Sequence, residues 1–446
     1  MHRLLVSLLL LCPAAYAQGG TAPAAAAASA GGNPMFRGNA AHTGVYGEPG
    51  TRSFHRLKWQ FHTGASILSS PAVAGNTVYF GSNDHRLYAV DLGTGEKRWE
   101  FKTEGRVASS PAVSGGMVYF LSYDSNFYAL DTADGTLKWK FKTEGERRFV
   151  AKHLHGVEPA SEPVPDPFDF YLSSPVVAQG AVIFGSGDSN VYALDAATGR
   201  LRWKFKTGDV VHASPAFVEG TVFIGSWDTF LYALEAATGQ EKWRFKTGED
   251  HEIFNQTGLQ ASPAVAGGVV YFGCRDSKFY ALDAGTGKQL WAFSNKGSWV
   301  INSAAIQNGR VYFATSDTGL VRALDAKSGA EIFTLDYNHW PMFSSPAIAG
   351  SMMYLGSHQG RLLAVDLAAK RPAWYFETDG AKKNGPALTT DQGAPKYEAA
   401  FADNFYDDIV TGLQKMLSVG AVLSSPAVSG DTVLFGSSDG SLYAIE

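Results

Sequence analysis

The sequence predicts an all-β fold, an eight-bladed β-propeller of four-stranded antiparallel blades, and three observations predict it. A unit of four short strands recurs along the chain, beginning at Pro71, Pro111, Pro175, Pro215, Pro263, Ala305, Pro346 and Pro426. The last unit stops at GSLYAIE (440–446), after its third strand. A spare fourth strand, LKWQFHT (57–63), precedes the first unit. Eight starts and eight fourth strands balance only if the N-terminal strand completes the last sheet, which a closed ring requires and an open solenoid does not.

The elements follow in chain order. Residues 1–17 have the layout of a cleaved signal peptide: Arg3, an apolar run Leu4–Leu11, and Ala15-Tyr16-Ala17 as the cleavage site. Residues 18–50 read as a flexible Ala/Gly-rich leader and N-terminal arm, of low complexity over 18–33. After cleavage at Ala17, Cys274 is the one cysteine left, so no internal disulfide is expected. No later stretch has the ~18 apolar residues of a membrane span. The expectation is export to the periplasm or beyond. The net charge of −5 gives no basic face for nucleic acid.

The propeller is expected over 51–446. In the first unit, SSPAVAG, NTVYFGS, LYAVD and KRWEFKT are four to seven residues long, bounded by Gly, Asn and Asp, and read as strands A to D of a meander. Asp91, Thr94 and Gly95 shape the C–D turn, with Gly where φ > 0 is needed. An aromatic recurs on strand D, 28 positions after each unit start: Trp99, Trp139, Trp203, Trp243, Trp291, Phe333 and Trp374, with Trp59 on the spare strand. These rings can pack between blades, while Lys138, Lys140 and Lys142 protect the outer edge of the second.

The motif A-x-D-x-x-T-G-x-x-x-W, at Ala89–Trp99, Ala193–Trp203 and Ala281–Trp291, resembles the tryptophan-docking motif of the pyrroloquinoline quinone (PQQ) repeat family. That family includes PQQ-dependent alcohol dehydrogenases and the assembly factor BamB, which binds no quinone. The resemblance covers about 54–446 and implies the propeller; its tryptophans are structural and imply no cofactor. Departures at Glu235, Ser328, Phe333 and 369–371 point to altered turns or looser docking there. The dehydrogenases of the family commonly carry vicinal cysteines over the quinone, which one mature cysteine cannot supply. Their calcium-binding set has no residue-by-residue match in this chain.

Insertions mark the expected working face. Extra residues enter between strands D and A at 146–170, 250–259 and 376–420, and alternation of strand direction puts all three on one face with the B–C turns. Seven of the ten mature histidines fall on that face, His212 and His339 among them. With Trp227, Arg275, Trp299, Asn302 and Trp340 they form the candidate ligand- or partner-binding set at the channel mouth. The structural alternative is that these side chains wedge the loops in place. No metal is expected, and His153-x-His155 with Glu158 is the nearest approach to a ligand set. Residues 403–419 read as the one helix, with an apolar stripe at Ile409, Leu413, Met416 and Leu417 suited to docking on the propeller. No G-x-S-x-G setting supports a hydrolase.

The resulting expectation is a non-enzymatic binding or assembly scaffold, a monomeric propeller that takes a protein or extended ligand on its D–A face and needs no cofactor. The alternative the resemblance implies is a PQQ- and calcium-dependent oxidoreductase of an alcohol or sugar, with Trp227, Trp299 or Trp340 as the floor under the quinone.

Overall fold

The computed structural model describes residues 34–152, 157–159, 161–248, 258–401 and 406–446. The signal-peptide region, His153, His155 and most of the 250–259 insertion lie outside them. Seven four-stranded sheets and one five-stranded sheet form the eight blades, each a meander with strand A innermost. The eighth blade is built from Ala427–Ser429, Thr432–Gly436 and Ser441–Ile445, and its strand D is Leu57–His62 from the other end of the chain. Trp59 lies opposite Ala444 and Phe61 opposite Leu442 in that antiparallel pair. The ring is therefore closed by one sheet assembled from both ends of the chain.

Six of the eight blades are locked to the next by the indole N–H of a strand D tryptophan. The indole N–H of Trp139 donates to the Ala196 carbonyl at 3.1 Å, and that of Trp203 to the Ala236 carbonyl at 2.8 Å. The ring lies on the glycine of the neighbouring C–D turn: a Cβ on Gly199 would sit 2.6 Å from the Trp139 ring, and Gly199 has φ +72°. Glycine is thus required twice over, for the left-handed backbone and for the close approach of the indole. The aspartate of the motif caps the same turn, Asp91 Oδ1 accepting from the Gly93 and Thr94 amides at 2.8 and 3.0 Å.

The departures from the motif have local explanations. Ser328 donates and offers its amide to Asp325 Oδ1, the bonds Thr286 makes to Asp283, so that turn is unchanged. In the seventh blade Lys370, at φ +54°, stands where glycine would, and the preceding blade presents Phe333 instead of an indole. The last tryptophan, Trp374, faces no C–D turn, because strands C and D of the eighth blade come from distant segments of the chain. Its indole nitrogen is buried with no acceptor among the described residues. Trp203→Phe is therefore expected to lower stability by about 1–3 kcal/mol, the cost of an orphaned buried carbonyl. Trp374→Phe should cost less than about 0.5 kcal/mol. Urea unfolding of the two variants measures the difference.

The centre of the disc is filled. The second serine of each SSP sequence, or its counterpart, faces the axis, and Ser70, Ser110, Ser174 and Ser214 each donate a backbone N–H to the hydroxyl of the next blade's serine at 2.8–3.0 Å. Ser303, Ser345 and Ser425 continue the ring back to Ser70. The cavity inside it is about 40 Å³, room for very few waters. On the A–B side of this ring the N-terminal arm runs along the inner strands. The carbonyls of Pro34, Ala40, Ala41, Thr43 and Gly44 accept from the amides of Val113, Phe217, Val265, Ile306 and Ile348, in five different blades. Val45–Tyr46 adds a short parallel strand inside the seventh blade. Arg37 is buried there and donates to the Ala304 carbonyl at 2.8 Å; burial lowers its pKa to about 10.

Helix α1 (Asp379–Leu388), helix α2 (Tyr397–Ala400) and helix α3 (Tyr406–Leu417) lie in the 376–420 insertion. Helix α3 falls within the 403–419 segment read as a helix. The other two were not expected, because DGAKKNGPAL carries two glycines and Pro386 and shows no apolar stripe. Thr378 starts α1 by accepting the Ala381 amide, and packing of Leu388 beside Met416 and Trp340 supplies what helical propensity does not.

Candidate functional site

The 146–170 insertion folds down over the channel mouth and is held there by buried charge. Arg275, in the B–C turn of the fifth blade, reaches up to Asp166 at 2.6 Å, and neither side chain is exposed. Its remaining nitrogens donate to Gln260 Oε1 at 3.1 and 2.6 Å, while Gln260 donates to the Phe168 carbonyl at 2.9 Å. The guanidinium carbon lies 4.4 Å from the Trp227 ring centroid and 4.3 Å from that of Trp299. The cation is thus clamped between two indoles, an arrangement worth more in a desolvated site than at the surface. Trp227 also stacks on the Phe149 ring, parallel at 4.2 Å.

A second buried group anchors the same loop. His212 Nδ1 is 2.7 Å from Asp169 Oδ1, and its Nε2 is 3.6 Å from Glu146 Oε2. Asp169 also accepts the Phe149 amide at 2.5 Å, and Glu146 accepts from Ser186 Oγ and the Gly187 amide. Burial alone would depress the imidazolium, but Asp169 and Glu146 together outweigh it and lift the His212 pKa from 6.5 to about 9. The folded-state pKa is raised, so the stabilisation is full below about pH 6.5 and disappears as pH rises through about 9. At about 1.36 kcal/mol per pH unit this amounts to roughly 3 kcal/mol. The wild-type chain should lose about that much stability between pH 6.5 and 9 relative to His212→Gln. Parallel urea titrations across that interval measure it.

Between these anchors the loop presses aromatics into the mouth. Phe168, Phe170 and Tyr171 pack with Leu68, Ile301, Phe343 and Leu423, and the Tyr171 hydroxyl donates to the Leu423 carbonyl at 3.0 Å. On the other side of the face Trp340 is buried under the helical insertion, its indole N–H on the Gly393 carbonyl at 2.8 Å. His339 beside it is exposed. Asn302 is buried in the sixth blade, donating to the Ala314 and Met342 carbonyls at 2.7 and 3.0 Å. It stands where other blades have the first serine of SSP and makes the same link to strand B that Ser173 makes to Gly185.

The structure therefore brings four of the seven candidate residues, His212, Trp227, Arg275 and Trp299, around one loop. Trp340 anchors a different insertion, Asn302 ties the start of its own strand A to strand B and to the Met342 carbonyl, and His339 is exposed. The partners Glu146, Asp166, Asp169, Gln260 and Phe149 were missed by sequence reasoning. The acidic residues of PDPFDF (165–170) carried the only signal, as carboxylates in a loop facing buried cations.

The same geometry tests the fit of a quinone at the mouth. A stacked quinone needs a free aromatic face. Trp227 is covered by Phe149 and Arg275, Trp299 faces the same guanidinium, and Trp340 lies beneath Leu388 and Met416. Cys274 is a lone buried thiol whose pKa is pushed up by burial. Among the described residues no three His, Cys, Asp or Glu side chains are grouped to hold a metal ion. Trp227 and Trp340 therefore offer no free face to a stacked quinone, and Trp299 has one face taken by Arg275.

The family model described as "Outer membrane protein assembly factor BamB" matches residues 55–162, 156–298 and 275–446. No curated protein sequence matches the chain. Among solved structures, BamB from Moraxella catarrhalis superposes with a TM-score of 0.62 at 14% identity, covering 88% of this chain and 97% of that one. The quinohemoprotein alcohol dehydrogenase from Comamonas testosteroni superposes with a TM-score of 0.67 at 14% identity, covering 93% and 80%. A europium-containing methanol dehydrogenase gives 0.64 at 16% identity, covering 93% and 98%. At such identities these likenesses show the propeller and nothing finer.

Proposed function

Starting from a chain that belongs to the PQQ-like propeller family described as outer membrane protein assembly factor BamB, we propose that it is a non-enzymatic binding scaffold, exported by its signal peptide, that engages a protein partner through the insertion-bearing D–A face. The observation that carries this reading is the loop latch at the channel mouth. Arg275, sandwiched between its two indoles and paired with Asp166, holds the 146–170 loop across the mouth. Such a closed mouth trades a pocket for a raised surface, in which 146–170 and 376–420 stand on a rigid disc. Rigid elements carrying irregular loops are a common way to present a recognition surface.

The reading is tested by site-specific photo-crosslinking in the cells that make the protein. A photoreactive residue at Lys152, Glu162 or Lys396 on the loop face should give discrete crosslinked protein bands. The same residue at Lys140 or Lys204, on outer strands of the disc, should give none. Bands of equal strength from both sets, or from the outer strands alone, would place the working surface elsewhere. The alternative, an oxidoreductase using PQQ and calcium, draws support from the eight blades it shares with the dehydrogenases and none from the residues at the mouth.

A further inference from the structure

We propose that the cavity between helix α3 and the 165–170 loop binds a small amphipathic carboxylate, an apolar chain or ring carrying one acid group. This inference stands apart from the scaffold reading, since it concerns a small-molecule site that needs no partner protein. The cavity is about 260 Å³, just under the ~300 Å³ at which drug-sized sites begin. Its walls are Leu68, Phe170, Leu413, Leu417 and Leu423, from blade loops, insertion loop and helix. An alkyl or aryl body gains by leaving water for such walls.

The charge at the cavity selects the other end of the ligand. Arg106 and Arg148 both line it, and among the described residues no acidic side chain does. The Arg148 guanidinium is fixed by donating to the Asp169 and Asp166 backbone carbonyls at 2.9 and 2.7 Å, contacts that orient it without neutralising its charge, and no ion pair to it is seen among the described residues. Arg106 lies over the Tyr123 ring at 4.8 Å and is exposed on its outer side. In a chain of net charge −5, two arginines at an apolar cavity with no carboxylate among its described lining residues are a local reversal of the average. A carboxylate can take a forked, charge-assisted pair of hydrogen bonds from a guanidinium, which an alcohol cannot match and an ammonium would oppose. Both polarity and sign of charge are thereby specified.

Isothermal titration of the purified full chain with decanoate, decanol and decyltrimethylammonium tests the site. Decanoate is expected to bind saturably, one per chain, with a Kd at or below about 1 mM. Decanol and the ammonium should bind at least about tenfold more weakly. Arg106→Gln should weaken decanoate about tenfold and Arg106→Lys only a few-fold; Arg106 is exposed, so neither should disturb the fold. Leu413→Phe, which narrows the cavity without adding charge, should weaken decanoate and decanol alike. Absence of saturable decanoate binding, equal affinity for decanol, or an unchanged affinity in Arg106→Gln would each overturn the proposal. None of these results bears on the crosslinking map, which stands or falls on the loop face.

Discussion

A chain lacking residues 51–64 is expected to aggregate, or to melt tens of degrees below the intact protein. The segment supplies strand D of the eighth blade, and its removal strips the hydrogen-bonding edge from Ser441–Ile445, five residues that are all buried. It also removes Trp59, whose indole N–H bonds the Leu92 carbonyl at 2.9 Å and whose ring covers Gly95 of the first blade. Phe61 goes with it, from contact with Phe80 and Tyr88. Truncation of a buried Trp costs about 3–5 kcal/mol, and that loss, with the part-buried Phe61 and an open sheet edge, rivals the ~5–15 kcal/mol stability of a folded domain. Arg56 and Lys58 both pair with Glu446 at 2.9 Å; the exposed Arg56 adds little, whereas the half-buried Lys58 is a further loss. Appending 54–64 after Glu446 through a short turn should restore the melting temperature, because the strand would return to the same edge. An unchanged melting curve in the deletion would contradict closure by this strand.

Arg275→Leu is expected to lower stability by about 3–5 kcal/mol, the usual cost of leaving one member of a buried ion pair alone. Asp166 would keep its amide bond from Phe168 but lose the charged partner at 2.6 Å. Gln260 Oε1 would lose two donors, and the two indoles would face a void. The Asp166→Leu/Arg275→Leu double variant should recover most of the loss, since replacing both charges by apolar groups is often neutral. Urea unfolding gives the energies. Limited proteolysis within 146–170 gives the location, with faster cleavage in the single variant than in the double. Equal stability of Arg275→Leu and the parent would show that the loop is not latched by this pair.

The repeat frame was readable because its signals are periodic and local. Strand lengths, turn glycines and strand D aromatics each follow from one blade's own geometry, and the spare strand at 57–63 forced the closure. The interblade meaning of the Gly was less accessible: Gly199 is held to glycine by Trp139 of the blade before it, a contact 60 positions away. The coupled departures at Phe333 and Lys370 show the same dependence from the other side. The arm at 34–46 left no trace in the side-chain pattern, because it is held mostly by backbone carbonyls on inner-strand amides. At the mouth, the side of the disc on which His212, Trp227, Arg275 and Trp299 stand could be worked out from strand alternation. Their partners could not, since Glu146, Asp166 and Asp169 are placed by the conformation of an irregular loop.

Equilibrium titration with PQQ and Ca²⁺ is the direct test of the proposal that the mouth is closed by the chain's own side chains and serves as a surface. The purified chain would be followed by quinone absorbance, then assayed for dye reduction with a panel of alcohols and sugars. The account predicts no stoichiometric absorbance change with PQQ at tens of micromolar, and no substrate-dependent dye reduction. Tight one-to-one binding with turnover would contradict it, for it would require Arg275 to leave its place between Trp227 and Trp299.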